Sequence, residues 1–139
     1  MGVVADATLQ AGGRVVGFIP KALVDKEHAH TGCTELHVVD TMTERKQGMA
    51  NRADAFLALP GGIGTFEELF EIWTWRQLGY HTKPVGMLNV NGYYDDLNRF
   101  FESAVQRKLM DSAQLSVMHW GHEAIPLLER LIGDIAAPA

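Results

Sequence analysis

The residues of this chain best suited to chemistry are Pro60-Gly61-Gly62-Ile63-Gly64-Thr65, followed directly by Phe66-Glu67-Glu68. Glycine lets a backbone approach a ligand with no Cβ in the way and tolerates positive φ. A wholly apolar run, Ala55-Phe56-Leu57-Ala58-Leu59, comes before the glycines, and Phe66, Leu69, Phe70 and Trp73 follow at i, i+3, i+4, i+7 spacing. That pattern predicts strand, turn and helix. N–H groups at a helix start, with the positive end of the helix dipole behind them, favour an anion. The turn Pro60-Gly61-Gly62-Ile63-Gly64-Thr65 is therefore a candidate anion site. No Gly-Lys-Ser/Thr follows, so this is not a Walker loop. The plainer alternative is a tight turn that binds nothing.

Two carboxylates enter the predicted helix here. Glu67 and Glu68 differ by roughly 100° around a helix of 3.6 residues per turn, so only one readily points into a crevice. A carboxylate beside a phosphate is repelled unless it serves a positive centre further along the ligand, such as a developing sugar cation, which points to glycosidic chemistry. Thr65 and Glu68 also have capping-box spacing, a structural competitor for that carboxylate. Thr43-Glu44-Arg45-Lys46 opens a second helix after the strand at 36–39. Parallel packing would bring Arg45 and Lys46 to the same carboxyl edge, where an Arg can hold a phosphate bidentately or stabilise a leaving group. A solvated helix start is the alternative.

The elements that must position these residues alternate. Helices are expected at 1–10, 43–52, 66–78, 93–109 and 122–132, and strands at 14–19, 36–39, 55–59, 84–90 and 115–119. The polar stretch 21–33 reads as a surface connection with one helical turn. The apolar runs at 55–59 and 84–90 have the look of parallel strands buried on both faces. About five strands separated by helices imply parallel pairing with right-handed crossovers, a doubly wound Rossmann-like α/β sheet. Ligands then sit at the carboxyl ends of the strands. The chain opens directly in a helix, without a strand before it.

At 139 residues, 47% apolar and 21% charged, one nucleotide-binding domain spanning 1–139 is the expectation. The net charge is −5 with scattered basic residues, which disfavours a nucleic-acid footprint. No run approaches the length of a membrane span, and the first residues lack a signal-peptide pattern, so a cytoplasmic protein without membrane contact is expected. The single Cys33 agrees with a reducing compartment. The pairs His28/His30 and His119/His122 lack the Cys or carboxylate company of a metal site, and no metal is expected. Trp73 belongs to the core stripe, whereas Trp75 suits a dimer interface or the ligand side. Lys21, Lys26, Lys46, Lys83 and Lys108 show no pattern marking a Schiff-base lysine, so pyridoxal phosphate chemistry is set aside and no cofactor is expected.

Taken together, Met42-Thr43-Glu44-Arg45-Lys46, the motif from Pro60 to Glu68, Trp75, Gln77-Leu78-Gly79, His81, Lys83-Pro84-Val85-Gly86 and Asn89-Val90-Asn91-Gly92-Tyr93-Tyr94 resemble the LONELY GUY family over essentially the whole chain. This family is also described as lysine decarboxylase-like. The resemblance implies a homodimeric, or higher homo-oligomeric, phosphoribohydrolase. It would hydrolyse the N-glycosidic bond of AMP or an N6-substituted cytokinin nucleotide to free base and ribose 5-phosphate. It implies Arg45 and Glu68 as the catalytic pair, Gly61, Gly62, Gly64 and Thr65 on the phosphate, and Glu67 and Lys46 in support. It also implies leading strands and a first phosphate-contacting glycine loop in front of Met1, one βαβ unit of about 30 residues or more. A non-catalytic nucleotide carrier on the same fold, similar to molybdenum-cofactor carriers, is the rival function.

Overall fold

The computed structural model describes residues 1–24 and 29–136. They fall into two compact units, Met1–Ala53 and Asp54–Ala139. Lys26 and His28 lie outside the described residues, as does the middle of the connection expected at 21–33.

The first unit runs α1 (Gly2–Gln10), β1 (Val16–Pro20), α2 (Lys21–Val24), β2 (Glu35–Val39) and α3 (Met42–Arg52). Helix α1 stops before Gly12, whose φ of 78° belongs to the left-handed region that glycine enters without strain. Strands β1 and β2 pair in parallel, with Val16 opposite Glu35 and Pro20 opposite Val39. The ring of Phe18 stacks on His37 with centroids 4.6 Å apart. Helix α3 approaches that ring so closely that a Cβ on Gly48 would stand 2.4 Å from Phe18 Cε1.

The second unit runs β3 (Phe56–Ala58), α4 (Ile63–Gln77), β4 (Val85–Leu88), α5 (Asp95–Gln106), α6 (Ser112–Ser116), β5 (Met118–Gly121) and α7 (Ala124–Ala136). The sheet is parallel with order β3-β4-β5, and Phe56, Val85 and Met118 share one register row. All of β4 is buried, as expected for a strand with neighbours on both sides and cover on both faces. Leu127 and Leu131 of α7 form a core with Leu88, against which Ala55, Leu57 and Leu59 pack. Burying each such leucine contributes about 1.5–3 kcal/mol. Phe70 and Trp73 of α4 meet Phe101 of α5 edge-on, with centroids 6.1 and 5.1 Å apart.

The α/β, parallel, Rossmann-like class read from the sequence is the class observed. Among the described residues, five strands are hydrogen-bonded as a two-stranded and a three-stranded sheet. Two local expectations change. Strand β3 is half-buried at Phe56 and Leu57; among the described residues its hydrogen-bonded strand neighbour is β4. The last strand begins at Met118, since 112–116 forms the short helix α6. Asp111 caps it, its side chain accepting from the Ala113 N–H at 2.9 Å while the Gln114 side chain accepts from the Asp111 N–H at 3.2 Å. No described helix is long and apolar enough to cross a membrane.

Candidate active site

Beyond β3 the chain passes Leu59, Pro60 and Gly61 and enters α4 with Gly62 as its N-cap, at φ −96° and ψ −150°, without a side-chain cap. The Thr65 and Phe66 N–H groups turn back to the Gly62 carbonyl at 3.0 and 3.2 Å. The N–H groups of Ile63 and Gly64 precede any intrahelical acceptor. A Cβ placed on Gly62 or Gly64 would meet nothing within 4 Å, so both face open space. Gly61 differs: a Cβ there would lie 2.2 Å from Thr65 Oγ1, because the threonine side chain folds back over it. The first turn of α4 thus offers backbone donors on an open glycine surface, an arrangement suited to a phosphate.

The helix starts three residues earlier than its apolar stripe indicated. Thr65 therefore sits inside the first turn instead of at the cap, and the capping box with Glu68 does not form. Glu68 is half-buried and Glu67 exposed, the division expected of adjacent positions on a helix lying against a core.

The loop is anchored from the same edge of the sheet, by the segment that follows the neighbouring parallel strand β4. Asn89, buried just past β4, accepts the Tyr94 N–H on its side-chain oxygen at 2.7 Å and donates Nδ2 to Asp95 Oδ1 at 2.7 Å. Its backbone N–H donates to the Gly121 carbonyl at 2.7 Å and its carbonyl accepts from His122 Nδ1 at 3.1 Å. Asn91 and Gly92, at φ 52° and 73°, make the left-handed turn that delivers the next two residues. Tyr93 donates its hydroxyl to the Gly61 carbonyl at 2.9 Å, and Tyr94 donates to the Leu59 carbonyl at 2.6 Å. Burial pushes the Tyr94 phenol above its usual range, with a backbone hydrogen bond to Gly61 working against the shift. Sequence reasoning named Asn91-Gly92-Tyr93-Tyr94 only within the family resemblance and assigned these hydroxyls no role. The available signal was a polar-tipped aromatic pair directly after a buried strand.

In the first unit, Arg45 and Lys46 are half-buried in the opening turn of α3. Thr41 caps that helix, accepting the Glu44 N–H at 3.1 Å, while Glu44 reaches back to the Asp40 N–H at 2.9 Å. Arg45 donates Nε to the Phe18 carbonyl of β1 at 3.2 Å, which fixes where its guanidinium begins. Among the tryptophans, Trp73 is buried with Nε1 donating to the Gln114 carbonyl at 3.0 Å, a core residue as its spacing indicated. Trp75 is half-buried. His119 pairs with Asp134 at 2.8 Å.

A family model described as "Possible lysine decarboxylase" matches residues 1–131. The chain belongs to this family. The motif resemblance led to the same place, since the LONELY GUY proteins carry that description. Among curated relatives, the cytokinin riboside 5′-monophosphate phosphoribohydrolases LOG2 and LOG5 of Arabidopsis thaliana are 46% and 45% identical to the chain over 131 residues. Those alignments cover 94% of this family member and 62% and 58% of the two relatives. The chain thus spans about 60% of the length of these curated relatives.

Proposed function

We propose that the chain binds the 5′-phosphate of AMP or of an N6-substituted AMP at the start of α4 and acts as a nucleoside 5′-monophosphate phosphoribohydrolase. The observation that carries this reading is the α4 N-terminus itself: open glycines, a cap with no side chain, and a half-buried carboxylate, Glu68, one turn inside. The names of the relatives support the same reaction class. Gly61, Gly62, Gly64 and Thr65 hold the phosphate, and the carboxylate of Glu68 faces the sugar. As the C1′–N9 bond breaks, the ribose becomes oxocarbenium-like, and a nearby carboxylate stabilises that charge and takes a proton from the attacking water. The water oxygen bonds to C1′ as the C1′–N9 bond breaks, and the proton taken by Glu68 passes on to the departing base, giving free base and ribose 5-phosphate. Arg45 stabilises the departing purine or anchors the phosphate, and Lys46 and Glu67 support the pair. One Rossmann-like domain spanning 1–139, assembled as a homodimer or higher homo-oligomer in the cytoplasm, is the setting we propose, on the strength of the family resemblance and the single cysteine.

Release of free base and ribose 5-phosphate from AMP and from isopentenyladenosine monophosphate tests this directly. Glu68→Gln and Arg45→Ala are expected to lower turnover by roughly 10²–10⁴-fold, the range for a positioned acid–base group. AMP bound by the folded chain and recovered unchanged would overturn hydrolysis in favour of a carrier.

A further inference from the structure

The tyrosine hydroxyls do more than close a turn, because of which peptide they hold. Described peptide bonds are all trans, and in a trans peptide the carbonyl and the following N–H point in opposite directions. Fixing the Gly61 carbonyl on the Tyr93 hydroxyl therefore aims the Gly62 N–H away from the tyrosine. A peptide with glycine on both sides has the least steric resistance to rotation. If it turned over, it would present a carbonyl oxygen where an anion needs a donor. Tyr94 acts one step earlier. Its hydroxyl holds the Leu59 carbonyl at the end of β3, and the next residue, Pro60, has no N–H to misdirect. The two rings meet edge-on with centroids 4.8 Å apart, yet Tyr93 is 55% exposed and Tyr94 only 1%. The hydroxyl that sets the glycine peptide thus sits on the ring that contributes least to the core.

We propose that Tyr93 is a positioning residue for anion capture: its hydroxyl locks the Gly61–Gly62 peptide with the N–H presented to phosphate, while buried Tyr94 anchors the strand end that carries it. This rests on the phosphate reading of the α4 N-terminus. It makes the strand-to-helix turn after β4 a support of the phosphate site, acting through the Gly61 carbonyl.

The test is Tyr93→Phe in the full chain, which removes the hydroxyl and keeps the ring. Two measurements are made: AMP affinity by calorimetry, and amide hydrogen exchange at 61–64 without ligand. The expected result is AMP binding weaker by roughly three- to tenfold, the worth of one hydrogen bond. KM should rise by a similar factor with kcat nearly unchanged, and exchange at 61–64 should be faster while β4 and α5 keep theirs. Tyr94→Phe should weaken binding too, with a clear loss of thermal stability that Tyr93→Phe lacks. A wild-type chain that binds AMP, beside a Tyr93→Phe chain that binds it equally well with unchanged exchange, would overturn the positioning role alone. A folded wild-type chain that binds no AMP would instead overturn the phosphate reading on which it rests.

Discussion

Helices α3 and α4 both follow a parallel strand, and both begin where a ligand could approach, yet their first turns are built in opposite ways. Thr41 and Glu44 satisfy the start of α3 from within the chain. At α4 the cap is Gly62, which has no side chain to offer, and the neighbouring glycines face open space. A helix start that satisfies its own donors is a structural joint. One that leaves them to an outside partner is a binding site, and the glycines keep that partner's path clear.

Three substitutions and one titration sharpen or break the contrast. Gly61→Ala should have the largest effect, because its Cβ would meet Thr65 Oγ1 at 2.2 Å and Thr65 Cβ at 3.0 Å. We expect a loss of about 1–3 kcal/mol in urea denaturation, the usual cost of overpacking, with AMP binding abolished. Unchanged stability and affinity would mean the loop is slack. Thr41→Ala should cost about 1 kcal/mol, the worth of a lost N-cap. Gly62→Asp should do the reverse at α4, adding a few tenths of a kcal/mol by supplying a cap while placing a carboxylate where the phosphate belongs. Its AMP affinity should fall at least tenfold, and an affinity equal to wild type would remove the anion from this helix start.

The smallest expected effect lies at the far end of α4. His81 donates Nε2 to the Ile72 carbonyl at 3.0 Å and accepts the Lys83 N–H on Nδ1 at 3.2 Å, an arrangement that needs the neutral ring. Desolvation lowers its pKa from the ordinary 6.5, against the backbone hydrogen bond to Ile72, and the nearby charges of Arg76 and Lys83 add to the lowering. The folded protein therefore takes up this proton less readily than the unfolded chain. The stabilising contribution is complete above 6.5 and is lost as pH falls from there through the depressed folded value. Thermal unfolding followed from about pH 8 to about pH 5 should show a decline that His81→Gln flattens, and equal slopes would remove His81 as its source.

Much of this was legible in the residues. The stripe Phe66, Leu69, Phe70, Trp73 identified α4, and the run 84–90 identified the fully buried β4, because periodicity and apolarity are local properties of a chain. The start of α4 was not. An apolar stripe reports which face is buried, not where backbone bonding begins, so the helix was placed at Phe66 and Thr65 became a false cap candidate. Strand β3 looked as buried as β4 because composition does not reveal how much of a strand its neighbours cover. Helix α6 was overlooked since five residues are too few to display a period, though Asp111 and Gln114 had the spacing of a cap.

By itself, then, the sequence determined the α/β class, the glycine turn between strand and helix, and the short list of residues able to bind an anion and assist a glycosidic cleavage. These rest on steric freedom, spacing and charge, which residues carry with them. Tertiary structure alone decided that Gly62 is the cap, that Glu68 is half-buried while Glu67 is exposed, and that the hydroxyls of Tyr93 and Tyr94 hold carbonyls more than thirty residues away. The physical reason is that hydrogen-bond partners distant in sequence are set by how strands align in the sheet. No local pattern of residues encodes that alignment.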